Sequence, residues 1–428
     1  MPDLRVPRPV LVTTIAVALG LLAIWLQHVV VAFDEPFWGL FDNQLDLDVY
    51  RAGAQTVLDG QRLYDAKLLG HLDYTYAPIS VLLFTPFAWM PFAAARVVWS
   101  VLIFVVLYLV ITLSFRNLGY RITWQLRAIS ASLVVISALL EPVRSTIWFG
   151  QVNIFLMALV LWDLLRPESS RLRGVATGVA AGIKLTPLIF IVYLAAQRRW
   201  RSVAGVLAGF VATVVIAFVA FPRDSWQYWT GTFIDSDRVG VPDTVGNQSI
   251  RGALANNFAT SHPSTIAWLV LALAALALGL AAALMAHRRG HELLALTLVG
   301  LTSCAVSPMS WGHHWVWIVP LGVIALHHVF SARTAVHRLL AGAGVVGLVL
   351  TTFAWRTHLA GSMTFVGVEH PDAYYTGLFF KYGISWLRWF TYDPYNWIFV
   401  VAAVTTIVAL ATTRPRAAES PPRVSANR

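Results

Sequence analysis

Long apolar runs recur along the whole chain, and they limit its possible folds more than any other feature. Runs of about 20 apolar residues fit helices that cross a hydrocarbon layer about 30 Å thick. One of them reads VLIFVVLYLVITLSF and lacks the period-two alternation of a barrel strand. Only 12% of the residues are charged, against about a quarter in soluble proteins. The sequence therefore predicts an all-α, multi-spanning membrane protein.

The basic residues are concentrated in short segments between the apolar runs. Because cytoplasmic loops are enriched in Lys and Arg, all of these segments are predicted to lie inside the cell. This constraint predicts twelve crossings with both termini inside and residues 1–413 as a single polytopic domain. The predicted spans are roughly 9–33, 96–115, 128–143, 148–165, 172–183, 186–197, 202–221, 265–287, 291–309, 314–331, 336–355 and 394–413.

Some segments fit this pattern only in part. The first run is too long for a signal-peptide core and is predicted to be a retained span. Residues 172–183 and 186–197 are short and are predicted to form a partial-depth hairpin that turns at Lys184. Residues 78–92 are predicted to be re-entrant or interfacial, since a crossing there would give an odd count. Residues 414–428 are polar and are predicted to be a disordered cytoplasmic tail.

Two features of the composition exclude whole classes of function. The net charge of +10 resides in short inter-span loops, where it is explained by membrane topology and not by nucleic-acid binding. The single cysteine, Cys304, excludes a disulfide within the chain and a multi-cysteine metal site.

Polar motifs gather on one predicted side of the membrane. Three long extracytoplasmic loops are predicted, at about 34–95, 222–264 and 356–393. The motifs in these loops and in the outer turns read LDLDVYRAGA, YTYAP, EPVRSTIWFGQVN, IKLTP, GNQSIRG and SPMSWGHHWVW. The opposite face carries mainly Arg, so a functional site is predicted at the outer surface of the plasma membrane.

Several charged or ionisable residues in these motifs have both a functional and a structural interpretation. A charge at helix depth costs at least about 2.5–3.5 kcal/mol, which favours a function for Lys184 over a snorkelling side chain. Glu141 and Arg144 stand three residues apart and could simply pair. Arg251 is a candidate anion ligand or a loop-orienting residue. The adjacent histidines, His313 and His314, would diverge on a helix, so they are candidate substrate contacts or structural residues and not a chelating pair.

The aspartates of the first motif also have two interpretations. Asp46 and Asp48 point the same way on a strand and diverge on a helix. They are either capping acids of a helix predicted to begin near Val49 or a general base at the membrane surface. A base together with cations from other turns suits transfer from a lipid phosphate, because positive charge stabilises a departing phosphate.

In this order, the motifs resemble those of the actinobacterial members of glycosyltransferase family 87, membrane enzymes with the GT-C fold. The resemblance runs from about Asp46 to Trp317. It implies an inverting, polyprenyl-phosphate-mannose-dependent α-1,2-mannosyltransferase that acts on the outer face. The implied acceptor is a phosphatidylinositol mannoside or a lipomannan-type glycan, and no metal or other cofactor is implied.

The resemblance also implies roles for individual residues. Asp46 is implied as the catalytic base, and Asp48 could share or replace it. Lys184, Arg251, His314 and Arg144 are implied to hold the phosphate, and Gln151, Asn153 and Gln248 to bind sugar hydroxyls. The remaining predicted substrate-binding residues are Tyr50, Tyr76, Glu141, Asn247 and His313.

Other functions stay open at this point. The family also contains arabinofuranosyltransferases that use polyprenyl-phosphate donors. A transporter or flippase of envelope lipids would also have about twelve spans, but it would usually show internal repeats and a midplane site, and no repeat is visible here. A non-catalytic scaffold would not require the acidic and basic residues to converge.

Overall fold

The computed structural model describes residues 3–235, 238, 240–357, 374–380 and 385–412, and it is mostly helical. The N-terminal part contains α1 (Pro9–Val30), α2 (Leu45–Leu58), α3 (Ile79–Ala88), α4 (Phe92–Asn117), α5 (Trp124–Ser137), α6 (Glu141–Phe149), α7 (Asn153–Leu164), α8 (Val175–Ile183) and α9 (Ile189–Ala196). The C-terminal part contains α10 (Trp200–Ala220), α11 (Pro222–Thr230), α12 (Ile250–Phe258), α13 (Thr265–Arg288), α14 (Glu292–Val306), α15 (Ile318–Ser331), α16 (Ala335–Thr352), α17 (Arg388–Thr391) and α18 (Pro394–Thr412). An antiparallel pair of short strands, β1 (Trp355–Thr357) and β2 (Tyr374–Thr376), lies between α16 and α17.

The helices confirm the prediction of an all-α membrane protein. Each predicted span contains a helix. Within the described residues, six helices are long and apolar enough to cross a membrane, namely α1, α4, α10, α13, α16 and α18. A seventh is added if α6 and α7 together count as one span. The twelve crossings remain a prediction, as does the interfacial position of residues 78–92, where the 10-residue α3 forms.

The span α13 illustrates why these segments form helices. Its sequence is dominated by Ala and Leu, two of the best helix formers. The Ser264 hydroxyl accepts a hydrogen bond from the Ala267 backbone N–H and caps the first turn. His287 and Arg288 lie in the last turn, next to the negative end of the helix dipole. The basic residues that signal topology therefore also stabilise the end of the helix.

Two predicted boundaries are wrong. The helix that follows Asp46 and Asp48 was predicted to begin near Val49. Instead α2 begins at Leu45, so both aspartates lie in its first turn. The predicted spans 128–143 and 148–165 divide differently, because α6 is a separate helix that meets α7 at an angle of 116°. Gly150 makes this turn with a φ of 71°, a left-handed conformation that favours glycine. The tail 414–428 and residues 358–373 of the third loop lie outside the described residues.

Helices α8 and α10 pack with their backbones in close contact. A β-carbon at Gly178 would collide with the Val206 carbonyl oxygen, and one at Gly209 with the Val175 carbonyl oxygen. The small residues recur every four positions on both helices, at Gly174, Gly178 and Gly182 and at Gly205, Gly209 and Thr213. This small-xxx-small pattern lets membrane helices approach closely. It fixes α8, and Lys184 is the C-cap residue of α8.

The start of α8 is fixed by a buried carboxylate. Asp163, at the end of α7, accepts hydrogen bonds of 2.9 Å from the backbone N–H groups of Gly174 and Thr177. It also accepts one from the Thr177 hydroxyl and pairs with Arg166. These bonds satisfy N–H groups that a helix start leaves without intrahelical partners. Both ends of α8 are therefore positioned by contacts outside the helix.

Glu292 joins three of the predicted cytoplasmic segments. Its carboxylate lies 2.7 Å from Arg199, 2.5 Å from His287 and 3.7 Å from Arg173. These residues come from the basic segments 198–201, 287–291 and 166–173. The three segments thus meet at one end of the bundle, as their assignment to a shared side requires.

Replacement of Gly178 by leucine is expected to destabilise the protein and displace Lys184. The new side chain would overlap backbone atoms of α10, and overpacking typically costs about 1–3 kcal/mol. Gly347→Leu is the matched control, because no atom lies within 4 Å of a β-carbon at that position. Thermal unfolding in detergent should show a lower Tm for Gly178→Leu only. Equal Tm values for the two variants would contradict the close packing.

Candidate active site

The first turn of α2 separates the two aspartates. Asp48 forms an ion pair with Arg51, one helical turn away, at 2.8 Å. Asp46 points elsewhere, and its Oδ2 accepts a hydrogen bond of 2.5 Å from the Gln151 side-chain amide. Because this segment is a helix and not a strand, the side chains of Asp46 and Asp48 point in different directions. Only Asp46 is hydrogen-bonded to the glutamine that follows the α6–α7 turn.

The Gln151 amide is oriented by its other neighbours. Its Oε1 accepts hydrogen bonds from the hydroxyls of Tyr50, at 3.2 Å, and Tyr76, at 3.1 Å. The Asn153 amide donates a third, at 3.2 Å. Because donors surround Oε1, the Nε2 group must face Asp46. The glutamine thus presents a donor to the carboxylate and stabilises its ionised form.

Lys184 lies on the other side of Asn153. Its ammonium group donates to the Asn153 Oδ1 at 3.0 Å and lies 3.0 Å from the His314 Nε2. Since an ammonium group can only donate, the His314 Nε2 is the acceptor and the ring is neutral. Burial, followed by the charge of Lys184, lowers the pKa of His314 well below its usual value. A continuous network therefore runs from Asp46 through Gln151, Asn153 and Lys184 to His314.

A cavity opens beside the ammonium group of Lys184. Asn153, His314 and Ser310 give it a polar side, and Met157, Phe190 and Trp317 are among the residues of its apolar side. The ring of Tyr76 lies beneath the ammonium group, with 5.4 Å between the nitrogen and the ring centroid. The volume of this cavity is about 30 Å³, which leaves room for a single oxygen atom of an anion beside the ammonium group.

The electrostatics of Asp46 suit a proton acceptor. Burial raises its pKa to about 6, against the opposing effects of the Gln151 hydrogen bond and the positive charge of Lys184. The carboxylate is therefore ionised at neutral pH and basic enough to accept a proton. Its Oδ1 has no hydrogen-bond partner among the described residues.

Glu141 and Arg144 do not pair with each other in the described structure. The buried Glu141 carboxylate accepts hydrogen bonds from the hydroxyls of Ser145 and Tyr395 and packs against Gly312. Arg144 donates to the Gln27 Oε1 at 3.1 Å, and its guanidinium lies 4.1 Å from the centre of the Tyr375 ring. The described contacts of Glu141 therefore support the turn that carries His313 and His314.

The GNQSIRG motif supports the wall of the cavity. The Asn247 Oδ1 accepts from the Ser310 backbone N–H at 3.0 Å, and the Gln248 backbone N–H donates to the Ser310 carbonyl at 2.7 Å. The Gln248 side chain donates to the Tyr392 carbonyl. Arg251 places its guanidinium 5.6 Å from the centre of the Trp268 ring. The described contacts of Asn247 and Gln248 thus fix the SPMSW turn.

His313 has a different environment from its neighbour. Its ring stacks on Trp311 and meets Phe149 edge to face. Its carbonyl oxygen accepts a hydrogen bond of 3.1 Å from the Asn153 side chain. The backbone of His313 therefore holds Asn153 in place, whereas the side chain of His314 contacts Lys184.

Sequence reasoning missed Tyr395 and the glycines of α8 and α10. Tyr395 lies at the start of α18 and reaches Glu141, a residue 254 positions earlier in the chain. An aromatic residue at a span end is expected as an interfacial anchor, so its pairing has no local signal. The glycine spacing of α8 and α10 is visible in the sequence and could have predicted their packing.

The fold and the site together define an integral-membrane protein with an enzyme-like cluster of a carboxylate, amides, a cation and a neutral imidazole. The chain belongs to glycosyltransferase family 87, whose family model matches residues 74–308. No solved structure matches the chain.

Similar proteins with established names come from mycobacteria. A polyprenol-phosphate-mannose-dependent alpha-(1-2)-phosphatidylinositol mannoside mannosyltransferase of Mycobacterium tuberculosis is 35% identical over 74% of this chain and 78% of its own length. A polyprenol-phosphate-mannose-dependent alpha-(1-2)-phosphatidylinositol pentamannoside mannosyltransferase of Mycolicibacterium smegmatis is 31% identical over 87% and 86%. An alpha-(1->3)-arabinofuranosyltransferase of Mycobacterium tuberculosis is 29% identical over 43% of each chain.

Proposed function

We propose that this protein transfers mannose from polyprenyl-phosphate-mannose to a phosphatidylinositol mannoside acceptor and forms an α-1,2 linkage on the outer face of the plasma membrane. The observation that carries the proposal is the network from Asp46 to His314, in which a proton acceptor and a cation face one site. The names of the relatives supply the donor and the acceptor class.

The proposed chemistry is a single displacement. The acceptor 2-hydroxyl donates its proton to the Oδ1 of Asp46 as its oxygen attacks the anomeric carbon of mannose. The bond between that carbon and the phosphate oxygen breaks, and the bonding electrons leave with the polyprenyl phosphate. Attack from the opposite face converts a β-linked donor into an α-linked product. Asp46 is the catalytic base in this scheme.

The departing phosphate is assigned to a position beside Lys184, with one of its oxygens directed into the cavity. Negative charge that develops on the leaving oxygen is stabilised by a nearby cation held in place in advance. The His314 Nε2 holds the ammonium group from one side and the Asn153 Oδ1 from the other, each at 3.0 Å.

The amide groups are assigned to positioning and sugar contact. Gln151 holds the Oδ2 of Asp46, so the Oδ1 is directed to the acceptor hydroxyl. Tyr50 and Tyr76 fix the glutamine through its Oε1. Asp48 is a less suitable base, because its carboxylate is paired with Arg51.

The donor sugar and the side of the membrane are tested together in sealed vesicles that contain the protein. The vesicles are incubated with radiolabelled polyprenyl-phosphate-mannose or polyprenyl-phosphate-arabinose and a water-soluble mannoside acceptor on one side only. Mannose transfer is expected when the acceptor is on the side of the vesicle membrane that corresponds to the outer face of the plasma membrane. Transfer of arabinose alone would favour the arabinofuranosyltransferase alternative, and transfer only from the cytoplasmic side would overturn the proposed orientation.

The rate is expected to fall in acid because the base must be ionised. Since the pKa of Asp46 is raised to about 6, kcat/KM should fall about tenfold per pH unit below that pH. The Gln151 hydrogen bond lowers this pKa, so Gln151→Leu should move the acid limb to higher pH. A pH–rate profile of both proteins checks this, and an unmoved limb would contradict the assignment.

A further inference from the structure

Arg144 carries a buried positive charge that no carboxylate neutralises among the described residues. It is 6% exposed, and its Nη1 donates to the neutral Gln27 side chain at 3.1 Å. Glu141, one helical turn before it, bonds to other residues. By contrast, Arg173 is buried to a similar extent, with 3% exposed, but lies 3.7 Å from the Glu292 carboxylate. The charge of Arg144 therefore lacks the kind of partner that the comparable arginine has.

The contacts that Arg144 does make offset only part of the cost of burying its charge. The ring of Tyr375 lies 4.1 Å from the guanidinium and acts as a cation–π partner. The cost of taking an ion out of water exceeds what such a contact returns, and buried charges in proteins are normally paired. The unpaired guanidinium therefore points to an anion that the protein itself does not supply.

The guanidinium of Arg144 has donors left for such an anion. Its Nε and Nη2 groups have no hydrogen-bond partner among the described residues, and both keep solvent-accessible surface. These two groups form one edge of a planar fork, which matches the oxygens of a phosphate or carboxylate. The open edge of Arg144 thus fits one oxyanion, held by two parallel hydrogen bonds.

The position of Arg144 relative to the membrane selects the class of anion. Its partner Gln27 lies in the last turn of α1, a candidate span of 22 residues. The Tyr375 hydroxyl donates to the Leu26 carbonyl, next to that turn, at 2.9 Å. Since about 20 helical residues cross the hydrocarbon layer, the end of α1 lies at the level of the lipid head groups. The oxyanion that lipids present at this level is a phosphodiester.

Aromatic side chains continue the site along α6. Trp148 lies four residues after Arg144, on the same side of the helix, and its ring stacks on Trp38 with 5.9 Å between the centroids. Trp38 in turn lies 4.9 Å from the ring of Tyr374, the neighbour of Tyr375 in β2. Trp38, Trp148 and Tyr374 are half-buried. They suit a phosphate that carries sugar rings, because the electron-rich face of an aromatic ring attracts the C–H groups of a sugar.

This site is distinct from the position assigned to the departing phosphate. Lys184 is held by Asn153 and His314, and none of the described contacts of Arg144 involves these residues. Helix α6 links the two places, since Arg144 lies within it and Gln151 follows the turn that ends it. The proposed reaction brings together two lipids that each carry a phosphodiester, and Lys184 is assigned to that of the donor.

We propose that Arg144 binds the phosphodiester of the phosphatidylinositol mannoside acceptor, with sugar rings of its head group lying along Trp38 and Trp148. The inference rests on the proposed function for the identity of the acceptor. It assigns one cation to each lipid phosphate, Lys184 to that of the donor and Arg144 to that of the acceptor. Because the acceptor phosphate takes no part in the displacement, Arg144 determines the affinity for the acceptor and not the rate of the chemical step.

Removal of the charge of Arg144 tests this assignment. Arg62→Gln is the matched control for Arg144→Gln, because the Arg62 side chain is 53% exposed and contacts Asp65 and Gln227. Arg144→Gln is expected to raise KM for a phosphatidylinositol mannoside by about 10–100-fold, the loss expected for a hydrogen bond to a charged group. The kcat should stay unchanged, since the lost contact is the same in the ground state and the transition state. With a neutral alkyl mannoside, which has no phosphate, both variants should match the wild type.

Three kinetic outcomes would overturn the assignment. An unchanged KM for the phosphatidylinositol mannoside in Arg144→Gln would show that Arg144 does not bind this lipid. Equal increases in KM for the phosphate-containing and the neutral acceptor would show that Arg144 only supports the fold. A rise in KM for the polyprenyl donor would assign Arg144 to the donor phosphate instead.

A binding measurement without donor separates this inference from the proposed function. Radiolabelled phosphatidylinositol mannoside is bound at equilibrium to the full-length protein in detergent micelles. We expect the Kd of Arg144→Gln to be about 10–100-fold above the values of the wild type and Arg62→Gln. Equal Kd values would overturn the inference. So would displacement of the label by unglycosylated phosphatidylinositol or by polyprenyl phosphate as effectively as by unlabelled glycolipid. If binding weakens as expected but the wild type mannosylates no acceptor, only the proposed function fails.

Discussion

Replacement of Asp46 by asparagine is expected to abolish mannose transfer without unfolding the protein. The amide keeps the shape of the side chain and can still accept the hydrogen bond from Gln151, which now measures 2.5 Å to the Oδ2 of Asp46. It cannot take the proton of the acceptor hydroxyl, and loss of a general base costs about 10²–10⁴-fold in rate. The measurement is kcat with saturating donor and acceptor, at matched protein levels.

Asp48→Asn is the matched control for this variant. Asp48 lies two residues away in the same helical turn and pairs with Arg51 at the surface of α2. A partly exposed ion pair of this kind contributes about 0–1 kcal/mol, so its loss should leave most of the activity. If Asp48→Asn were inactive and Asp46→Asn active, the assignment of the base would be wrong by two residues.

Replacement of Lys184 by methionine is expected to have the second largest effect. The change keeps the length of the side chain but removes the charge that faces the departing phosphate. Removal of one electrostatic contact of this kind typically costs about 10²–10³-fold in kcat. The Asn153 Oδ1 and the His314 Nε2 would also lose their shared donor.

Lys67→Met is the control for the loss of a positive charge as such. Lys67 is exposed, with 60% of its side chain accessible, and pairs with Asp73 away from the network. It should retain wild-type kcat. A Lys184→Met protein with wild-type kcat and only a raised KM would show that Lys184 binds the ground state and does not stabilise the transition state.

The residues of the site could be predicted from the sequence because they are polar or charged and lie within or beside apolar segments. A lysine within an apolar run and carboxylates beside a membrane span are costly to place without a purpose. Asp46, Gln151, Asn153, Lys184 and His314 all lie in such polar motifs, and the structure brings them into one network.

The sequence could not predict which of these candidate site residues contact one another in the folded protein. The separation of Asp46 from Asp48 depends on α2 beginning at Leu45, and Gln44 before it adopts a left-handed conformation that no capping motif signals. The position of Gln151 depends on the turn at Gly150, within a stretch whose composition also fits a continuous span. The conformation of Gln44 is a tertiary effect, whereas Gly150 is a local signal for a helix end that the apolar composition around it obscures.

Residues in the supporting shell depend on contacts between distant parts of the chain. Tyr395 reaches Glu141 across the bundle, and Asn247 fixes the Ser310 turn from another loop. Polar residues in loops have no periodic pattern that identifies their partners. The sequence could therefore assign Glu141 and Asn247 to the site region but not distinguish support from substrate contact.

The most direct test of the central claim is the structure of the product made by the purified, full-length protein. Donor polyprenyl-phosphate-mannose with ¹³C-labelled mannose is incubated with a phosphatidylinositol mannoside acceptor, and the glycolipid is analysed by NMR. We expect one added mannose in an α-1,2 linkage with wild-type protein and none with Asp46→Asn. An unchanged acceptor with wild-type protein, or the same product from Asp46→Asn, would contradict the account.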